Sequence, residues 1–195
     1  MTVNDLIEQS LAIAEQNKKI VEQKFFKLSS DDLNRKTNPN SWSAAECFQH
    51  LLFTNVGYLK YFNEVVSNSQ DADKIKTFNH SSIHPFKHSF WGKFVLYFVN
   101  PKTKMKSKTT KTFNPSYSQV EPDVLQKYLS QYGQIVGVVS KMRNLDLKNL
   151  KMPSPINEKI KYNLGDAVKI LVLHDQRHIQ QAEKTIIANF NGTRI

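Results

Sequence analysis

The sequence predicts an all-α protein, a four-helix bundle with a long irregular insert between its second and third long helices. Apolar residues recur every three or four positions over four long stretches, as in helices with one buried face. The segments between these stretches contain proline, serine and asparagine, which interrupt helices. Of the 195 residues, 39% are hydrophobic and 23% are charged, as in ordinary globular proteins. We therefore expect a single domain over residues 1–195.

The first two long helices are predicted over about residues 3–27 and from residue 43 to about 66 or 67. The first presents an apolar face made of Ile7, Leu11, Ala14, Val21 and Phe25. The second follows a loop containing Pro39, and S-A-A-E at 43–46 predicts a capping box at its start. Its inward stripe consists of Cys47, Leu51, Thr54, Tyr58, Tyr61 and Val65, with His50 at the edge.

The insert is predicted over about residues 70–118, with a short apolar helix from Phe90 to Phe98. The spacing of His80, His84 and His88 resembles a metal motif, but Pro85 would break a helix through them. We therefore interpret them as loop histidines that form no second metal site. A lysine-rich patch follows at 102–111, which we interpret as a solvated loop or hairpin arm. Attraction of an anionic small molecule to this patch is left open.

The last two long helices are predicted over about 122–144 and 164–188. The third helix begins near Pro122, and its apolar face consists of Leu125, Tyr128, Tyr132, Ile135, Val139 and Met142. Residues 145–163 are predicted to be a loop, with a short strand left open. The last helix carries an inward stripe made of Leu164, Ala167, Leu171, His174, His178, Gln181 and Thr185.

Two histidines lie on that inward stripe, in L-H-D-Q-R-H-I at 173–179. Their separation of four places His174 and His178 one turn apart on one helix face, where both imidazoles can reach one ion. A third imidazole would complete a site with positions open for water or substrate, which is the catalytic form of a transition-metal site. Two alternatives stay open, because this spacing also occurs by chance and a core histidine often bonds a carbonyl or hydroxyl. Spacing alone does not connect His50 to the pair.

Charge and composition limit the partners. The net charge of +10 is compatible with binding to nucleic acid or to a membrane surface, but the chain has no recognisable nucleic-acid module. No stretch approaches the ~20 apolar residues of a membrane span. The N-terminus does not resemble a signal peptide, and one cysteine excludes an intramolecular disulfide, so we expect a cytoplasmic protein. We expect a small-molecule substrate and no membrane partner, we disfavour nucleic acid, and we leave a homodimer open.

Two segments together carry a resemblance to a known family. They are N-S-W-S-A-A-E-C-F-Q-H-L-L at 40–52 and L-G-D-A-V-K-I-L-V-L-H-D-Q-R-H-I-Q-Q at 164–181. The chain resembles the DinB-like (DinB/YfiT) superfamily of metal-binding four-helix bundles over nearly its whole length. The matching positions are Trp42, Ser43, His50, Leu51, His174, Arg177, His178 and Gln181.

The resemblance implies a site in which His50, His174 and His178 bind a divalent ion, with zinc or nickel as candidates. It also implies the chemistry of some relatives, which are S-transferases that join a low-molecular-weight thiol to an electrophile, or metal-dependent hydrolases and isomerases. The insert at about 70–118 departs from compact members, and it could cover or reshape the substrate pocket.

Four residues near the histidines are candidates for further roles in the site. Glu46 and Asp175 are candidate acid/base groups or partners of the ligands, although Glu46 also suits helix capping and Asp175 also suits a solvent-facing position. Arg177 could bind an anionic group of the thiol or pair with an acidic neighbour. Cys47 could approach the metal, but a small buried apolar role is more common for such a cysteine.

These observations support one leading hypothesis and two rivals. The leading hypothesis is a metal-dependent enzyme, a thiol-dependent S-transferase or related hydrolase that acts on a small electrophile. The first rival is a non-enzymatic, stress-associated metal-binding or scaffold bundle. The second rival is a nucleic-acid binder, which only the charge suggests.

Overall fold

The predicted four long helices are all present in a computed structural model, which describes residues 1–69, 85–104, 109–117 and 120–191. The long helices are α1 (Val3–Lys24), α3 (Ala44–Asn68), α5 (Val124–Ser140) and α6 (Leu164–Asn191). Two shorter helices, α2 (Ser30–Asn34) and α4 (Phe90–Val99), lie in the connections. A small antiparallel sheet pairs β1 (Lys151–Pro153) with β2 (Lys161–Asn163). The fold is all-α, as the sequence predicts.

The long helices form a four-membered ring. Helix α3 packs against α5 and α6, and α1 packs against the same two helices. Consequently α1 lies diagonally opposite α3, and α5 lies diagonally opposite α6. Helix α4 packs on the outer side of α6. Helix α6 therefore contacts three other helices, which explains why buried residues occur on more than one of its faces.

The core follows the predicted apolar stripes closely. Every residue of the predicted α5 face is buried, from Leu125 to Met142. On α3 the stripe turns by one position after Tyr58, because Phe62 is completely buried whereas Tyr61 and Val65 are partly exposed. Side chains three or four residues apart lie on the same face of a helix. The buried face of α3 is therefore described better by positions 47, 51, 55, 58 and 62 than by the stripe predicted from the sequence.

The capping box predicted for the second long helix is present. Ser43 Oγ accepts the Glu46 N–H at 3.1 Å, and Glu46 Oε2 accepts the Ser43 N–H at 2.8 Å. A second capping box begins α1, where Thr2 and Asp5 bond reciprocally. Because these caps satisfy free backbone donors, they set the residue at which each helix begins.

The connections differ from the sequence-based expectations in two places. The loop after α1 contains the five-residue helix α2, which Ser29 caps through the Asp32 N–H. The connection between α5 and α6 contains two strands rather than one, joined as the β1–β2 pair. The predicted short apolar helix in the insert is present as α4.

Candidate metal centre

The three predicted histidines come together between α3 and α6. His50 lies in the second turn of α3, where 4% of its surface is exposed. His174 and His178 lie one turn apart on α6, and both side chains are largely buried. One ligand nitrogen from each ring lies within 4.8 Å of the other two. The α3–α6 contact thus joins the sequence-adjacent pair to a residue 124 positions away.

The spacing of the ring nitrogens suits a transition metal. His50 Nε2 and His174 Nε2 are 3.3 Å apart. Two nitrogens bonded to one tetrahedral ion at about 2.0–2.1 Å would lie about 3.3–3.4 Å apart. Within the described residues, no other group of histidine, cysteine, aspartate or glutamate side chains has such an arrangement. The donor set of three imidazoles suits a transition metal better than magnesium or calcium, which prefer oxygen ligands.

Hydrogen bonds to the far side of two rings orient the coordinating nitrogens. His50 Nδ1 donates to the carbonyl oxygen of Phe113 at 2.7 Å, and His178 Nδ1 donates to Gln181 Oε1 at 3.1 Å. A neutral imidazole that donates through Nδ1 keeps its lone pair on Nε2. Both rings therefore direct a lone pair toward the cluster, as partners of metal-ligating histidines usually ensure.

The environment keeps all three imidazoles neutral near pH 7. Burial lowers the pKa of His50 below its ordinary value, although the Phe113 carbonyl opposes this shift. The pKa of His178 is lowered to about 3, mainly by burial and in part by the neighbouring His50, although the hydrogen bond to Gln181 opposes this shift. Burial and the charges of the two neighbouring imidazoles hold the pKa of His174 well below the ordinary range. Neutral rings are the form that binds metal ions.

Trp42 forms a wall of the histidine cluster. Its ring stacks against His178 with centroids 5.8 Å apart and lies 5.0 Å from the ring of His50. The residue directly precedes the Ser43 cap and therefore lies at the start of α3. An apolar wall beside the histidines limits water access, which strengthens electrostatic interactions there.

Asp175 points into the bundle, and the solvent-facing alternative considered for it is wrong. The residue is completely buried, because its side chain enters the interior of the bundle, where side chains of α3 and α5 reach it. Its Oδ2 accepts from Asn55 Nδ2 at 3.1 Å and from the Tyr128 hydroxyl at 3.0 Å. Its Oδ1 lies 4.0 Å from His174 Nδ1. Burial raises the pKa of Asp175 to about 7, against the two hydrogen bonds, which lower it.

The other candidates near the site make contacts that stabilise the fold. Glu46 caps α3 and accepts from Lys36 Nζ at 2.8 Å and from Ser116 Oγ at 3.1 Å. Arg177 Nη1 donates to the carbonyl oxygens of Asn100 and Thr103, which follow α4. Cys47 is completely buried, and burial raises the pKa of its thiol far above the ordinary value.

His88 lies outside the cluster. Its Nδ1 bonds Asp166 Oδ1, at the start of α6. His80 and His84 lie outside the described residues, so the expectation that these three histidines form no second site stays a prediction.

Sequence reasoning missed three contributors to the site. The Phe113 carbonyl binds His50 through the backbone, which no side-chain pattern reveals. Asn55 and Tyr128 bind Asp175 from two different helices. A polar residue such as Asn55, one turn after Leu51 on the buried face, is the signal that could have indicated an inward polar partner.

Of three comparisons with known proteins, one found a match, and this family match is consistent with the geometry of the site. Neither the search of curated proteins nor the search of solved structures found a match. Among the described residues, no helix has both the length and the apolar character needed to cross a membrane. A family match to the DinB superfamily covers residues 15–182, which include all three histidines, all of α3 and α5, and parts of α1 and α6. Because this match spans most of the 195 residues, the chain belongs to the DinB superfamily.

Proposed function

We propose that this protein is a metal-dependent enzyme in which His50, His174 and His178 hold a zinc or nickel ion. The observation that carries the proposal is the convergence of the three rings, two of them oriented by acceptors on Nδ1. Buried imidazoles without an ion would place lone pairs close together at a cost in free energy, and an ion would offset it. Three protein ligands also leave coordination positions open, as catalytic sites do.

A divalent cation bound by neutral ligands lowers the pKa of a thiol or water enough for it to ionise near pH 7. The protein's own residues prepare the site for this chemistry. Burial keeps the imidazoles unprotonated, and Phe113 and Gln181 fix their tautomers. Trp42 closes one side of the cluster against water.

The reaction that we favour is S-transfer from a low-molecular-weight thiol to a small electrophile. The thiol loses its proton, its sulfur forms a bond to an electrophilic carbon, and the leaving group departs with its bonding electrons. Hydrolysis of a related substrate would use water in place of the thiol. This preference rests on the family to which the chain belongs. Among the acid/base candidates we favour Asp175, whose pKa burial raises to about 7 and whose Oδ1 lies 4.0 Å from His174 Nδ1, and we assign it the positioning of His174.

Metal analysis tests the first part of the proposal. Protein purified without a nickel column should contain close to one equivalent of transition metal after incubation with zinc or nickel and removal of free ions. His178→Ala should lose nearly all of it, since two imidazoles hold the ion in an incomplete geometry. His88→Gln is the matched control, because His88 lies outside the cluster, and its stoichiometry should equal that of the wild type. Equal metal contents in His178→Ala and the wild type would refute the proposed ligand set.

Turnover assays test the second part. Metal-loaded protein is offered several low-molecular-weight thiols together with a reactive electrophile, and thiol consumption is measured with and without a chelator. We expect consumption that the chelator abolishes and that His178→Ala lacks while its circular dichroism stays helical. Stoichiometric metal without any metal-dependent turnover of thiol or hydrolysable substrate would favour the non-enzymatic binding protein instead.

A further inference from the structure

Helix α4 exposes an aromatic face to solvent. Its sequence, F-W-G-K-F-V-L-Y-F-V, contains one charged residue in ten. Phe90 is 76% exposed and Tyr97 is 56% exposed, and Trp91 and Phe94 lie between them, also exposed. Rings in this face contact one another edge to face, as in the Phe90–Trp91 and Trp91–Phe94 pairs. Large apolar patches exposed in this way mark interaction surfaces.

Contacts with α6 at both ends hold this face outward. At the first turn of α4, Asp166 Oδ2 accepts from the Ser89 backbone N–H and from Ser89 Oγ, and a Cβ on Gly92 would overlap the same carboxylate. After the last turn, Arg177 donates to the Asn100 and Thr103 carbonyls. The opposite side of the helix packs on the core through Val95, Leu96 and Val99. Rotation that would bury the aromatic rings would break these contacts.

The positive charge of the protein is concentrated in the same part of the chain. Residues 74–120 contain nine of the 27 lysines and arginines and none of the 17 aspartates and glutamates. The rest of the chain therefore holds 18 basic and 17 acidic residues, a net charge of +1. The described lysines of this segment are all exposed, namely Lys87, Lys93, Lys102, Lys104 and Lys111. Lys93 lies on α4 itself, one turn from both Phe90 and Tyr97.

We propose that the α4 surface, defined as Phe90, Trp91, Phe94 and Tyr97 with Lys93 on the same helix, docks on an anionic lipid bilayer. Helices that lie in a membrane interface combine aromatic and apolar side chains on one face with lysines beside it. The rings would enter the boundary between headgroups and acyl chains, where tryptophan and tyrosine are favoured. The lysines would approach anionic headgroups, and each lysine near such a surface adds attraction.

The charge distribution favours a bilayer over a second copy of this chain. A symmetric contact through α4 would bring two acid-free, lysine-bearing segments together, and like charges oppose such a contact. The ring geometry also disfavours nucleic acid. Bases stack on open ring faces, whereas the edge-to-face pairs on α4 turn ring faces toward neighbouring rings. From the sequence we expected no membrane partner; the outward orientation of α4 is the observation that changes this expectation.

Vesicle co-sedimentation with the full chain tests the proposal. One set of vesicles contains phosphatidylcholine alone, and the other contains equal parts of phosphatidylcholine and phosphatidylglycerol. We expect at least about tenfold stronger binding to the anionic vesicles, since several lysines act together. Salt sufficient to shorten the Debye length to about 3 Å should remove most of this preference. Absence of binding to the anionic vesicles would overturn the proposal.

Paired variants distinguish docking through α4 from general attraction of a basic protein. Phe90→Ser/Phe94→Ser should weaken binding to anionic vesicles by about tenfold or more, because it removes two apolar anchors. Val56→Ser/Ile187→Ser is its control, since both residues are 57% exposed on other helices. Lys102→Glu/Lys104→Glu should also weaken binding by about tenfold or more, whereas Lys148→Glu/Lys159→Glu, with the same charge change, should have a clearly smaller effect. Equal effects of each variant and its control would overturn the proposal.

The fluorescence of Trp91 reports directly on insertion. Brominated acyl chains should quench part of the wild-type emission, and Trp91→Phe should bind equally well but lose the quenched component. Two further results would assign the surface to another occupant. A wild-type dimer that Phe90→Ser/Phe94→Ser dissociates would identify a second copy, and DNA or RNA binding that the same variant abolishes would identify nucleic acid.

Discussion

Asp175 links the helices around the histidine cluster through the hydrogen bonds that it accepts. Asn55 on α3 and Tyr128 on α5 both donate to its Oδ2, so one carboxylate on α6 connects three helices. Burial raises its pKa to about 7, so the carboxyl group is partly protonated near neutral pH. Because the pKa of Asp175 is higher in the folded protein than in the unfolded chain, this residue stabilises the fold most at pH values below its unfolded pKa of about 4. That contribution to the free energy of unfolding is lost as pH rises through about 7.

Replacing Asp175 tests whether its hydrogen bonds or its charge stabilise the bundle. Asp175→Leu should lower the free energy of unfolding by about 2–4 kcal/mol, because the Tyr128 hydroxyl and the Asn55 amide lose their acceptor in a buried site. Asp175→Asn keeps an acceptor oxygen and should cost less than about 1 kcal/mol. Urea denaturation of metal-free protein at pH 8 measures both changes. Similar losses in the two variants would mean that the negative charge, and not the acceptor, is required.

The buried state of His178 predicts a pH dependence of opposite sign. Its pKa is lowered to about 3, so the unfolded chain takes up a proton at this residue below about pH 6.5 while the folded protein does not. The stabilisation is fully present above pH 6.5 and is lost as pH falls. Relative to His178→Gln, metal-free wild type should lose about 2 kcal/mol between pH 7 and pH 5. Urea denaturation at both pH values measures this difference, and a constant difference would contradict the burial of a neutral imidazole.

Helix α4 shows how a single glycine decides where an element can pack. Gly92 is the buried residue of this helix, and its Cα approaches the Asp166 carboxylate so closely that a Cβ would overlap Oδ2. Asp166 in turn accepts from Ser89 and His88, which precede the helix. The first turn of α4 and the start of α6 therefore form one contact that excludes a side chain at position 92.

Gly92→Ala should separate α4 from α6. The added methyl group must displace Asp166 or the helix, and we expect a loss of about 1–3 kcal/mol in the free energy of unfolding. Gly137→Ala is the matched control on α5, where an added Cβ meets nothing within 4 Å. That variant should gain about 0.5–1 kcal/mol from its higher helix propensity. Hydrogen exchange should quicken in residues 90–99 of Gly92→Ala alone, and unchanged exchange there would refute the contact's role.

The periodicity of the sequence predicted the long helices and most of their buried faces, because three- and four-residue spacing directly reflects helix geometry. It also placed His174 and His178 on one inward face. The pairing with His50 required the resemblance, since spacing carries no information about contacts between helices. The orientation of Asp175 was missed because α6 is covered on several sides. The sequence also did not predict that one face of α4 is exposed to solvent, because a helix that is apolar on all sides is usually buried.

At the scale of the whole molecule, the histidine cluster lies on the contact between two long helices of the bundle. His50 belongs to α3, and the other two histidines belong to α6. These two helices pack against each other, and both contribute buried apolar residues such as Leu51 and Leu171 to the core without a metal. We therefore expect the metal-free protein to be folded and the bound ion to add stability by mass action.

Thermal unfolding with and without metal tests this expectation. At a free metal concentration of one hundred times Kd, binding to the folded state alone adds about 2.7 kcal/mol. For a protein of this size each kcal/mol corresponds to about 2–4 °C in Tm, so zinc or nickel should raise Tm by about 5–10 °C. His50→Ala, His174→Ala and His178→Ala should each abolish most of this rise, while His88→Gln should retain it. The three alanine variants should still unfold cooperatively in the presence of a chelator, because the apolar faces of all four long helices are unchanged. An equal rise in Tm in all variants would mean that the ions bind elsewhere on the chain. Unfolding of the wild type when a chelator removes the metal would mean that the ion, and not the apolar core, holds α3 against α6.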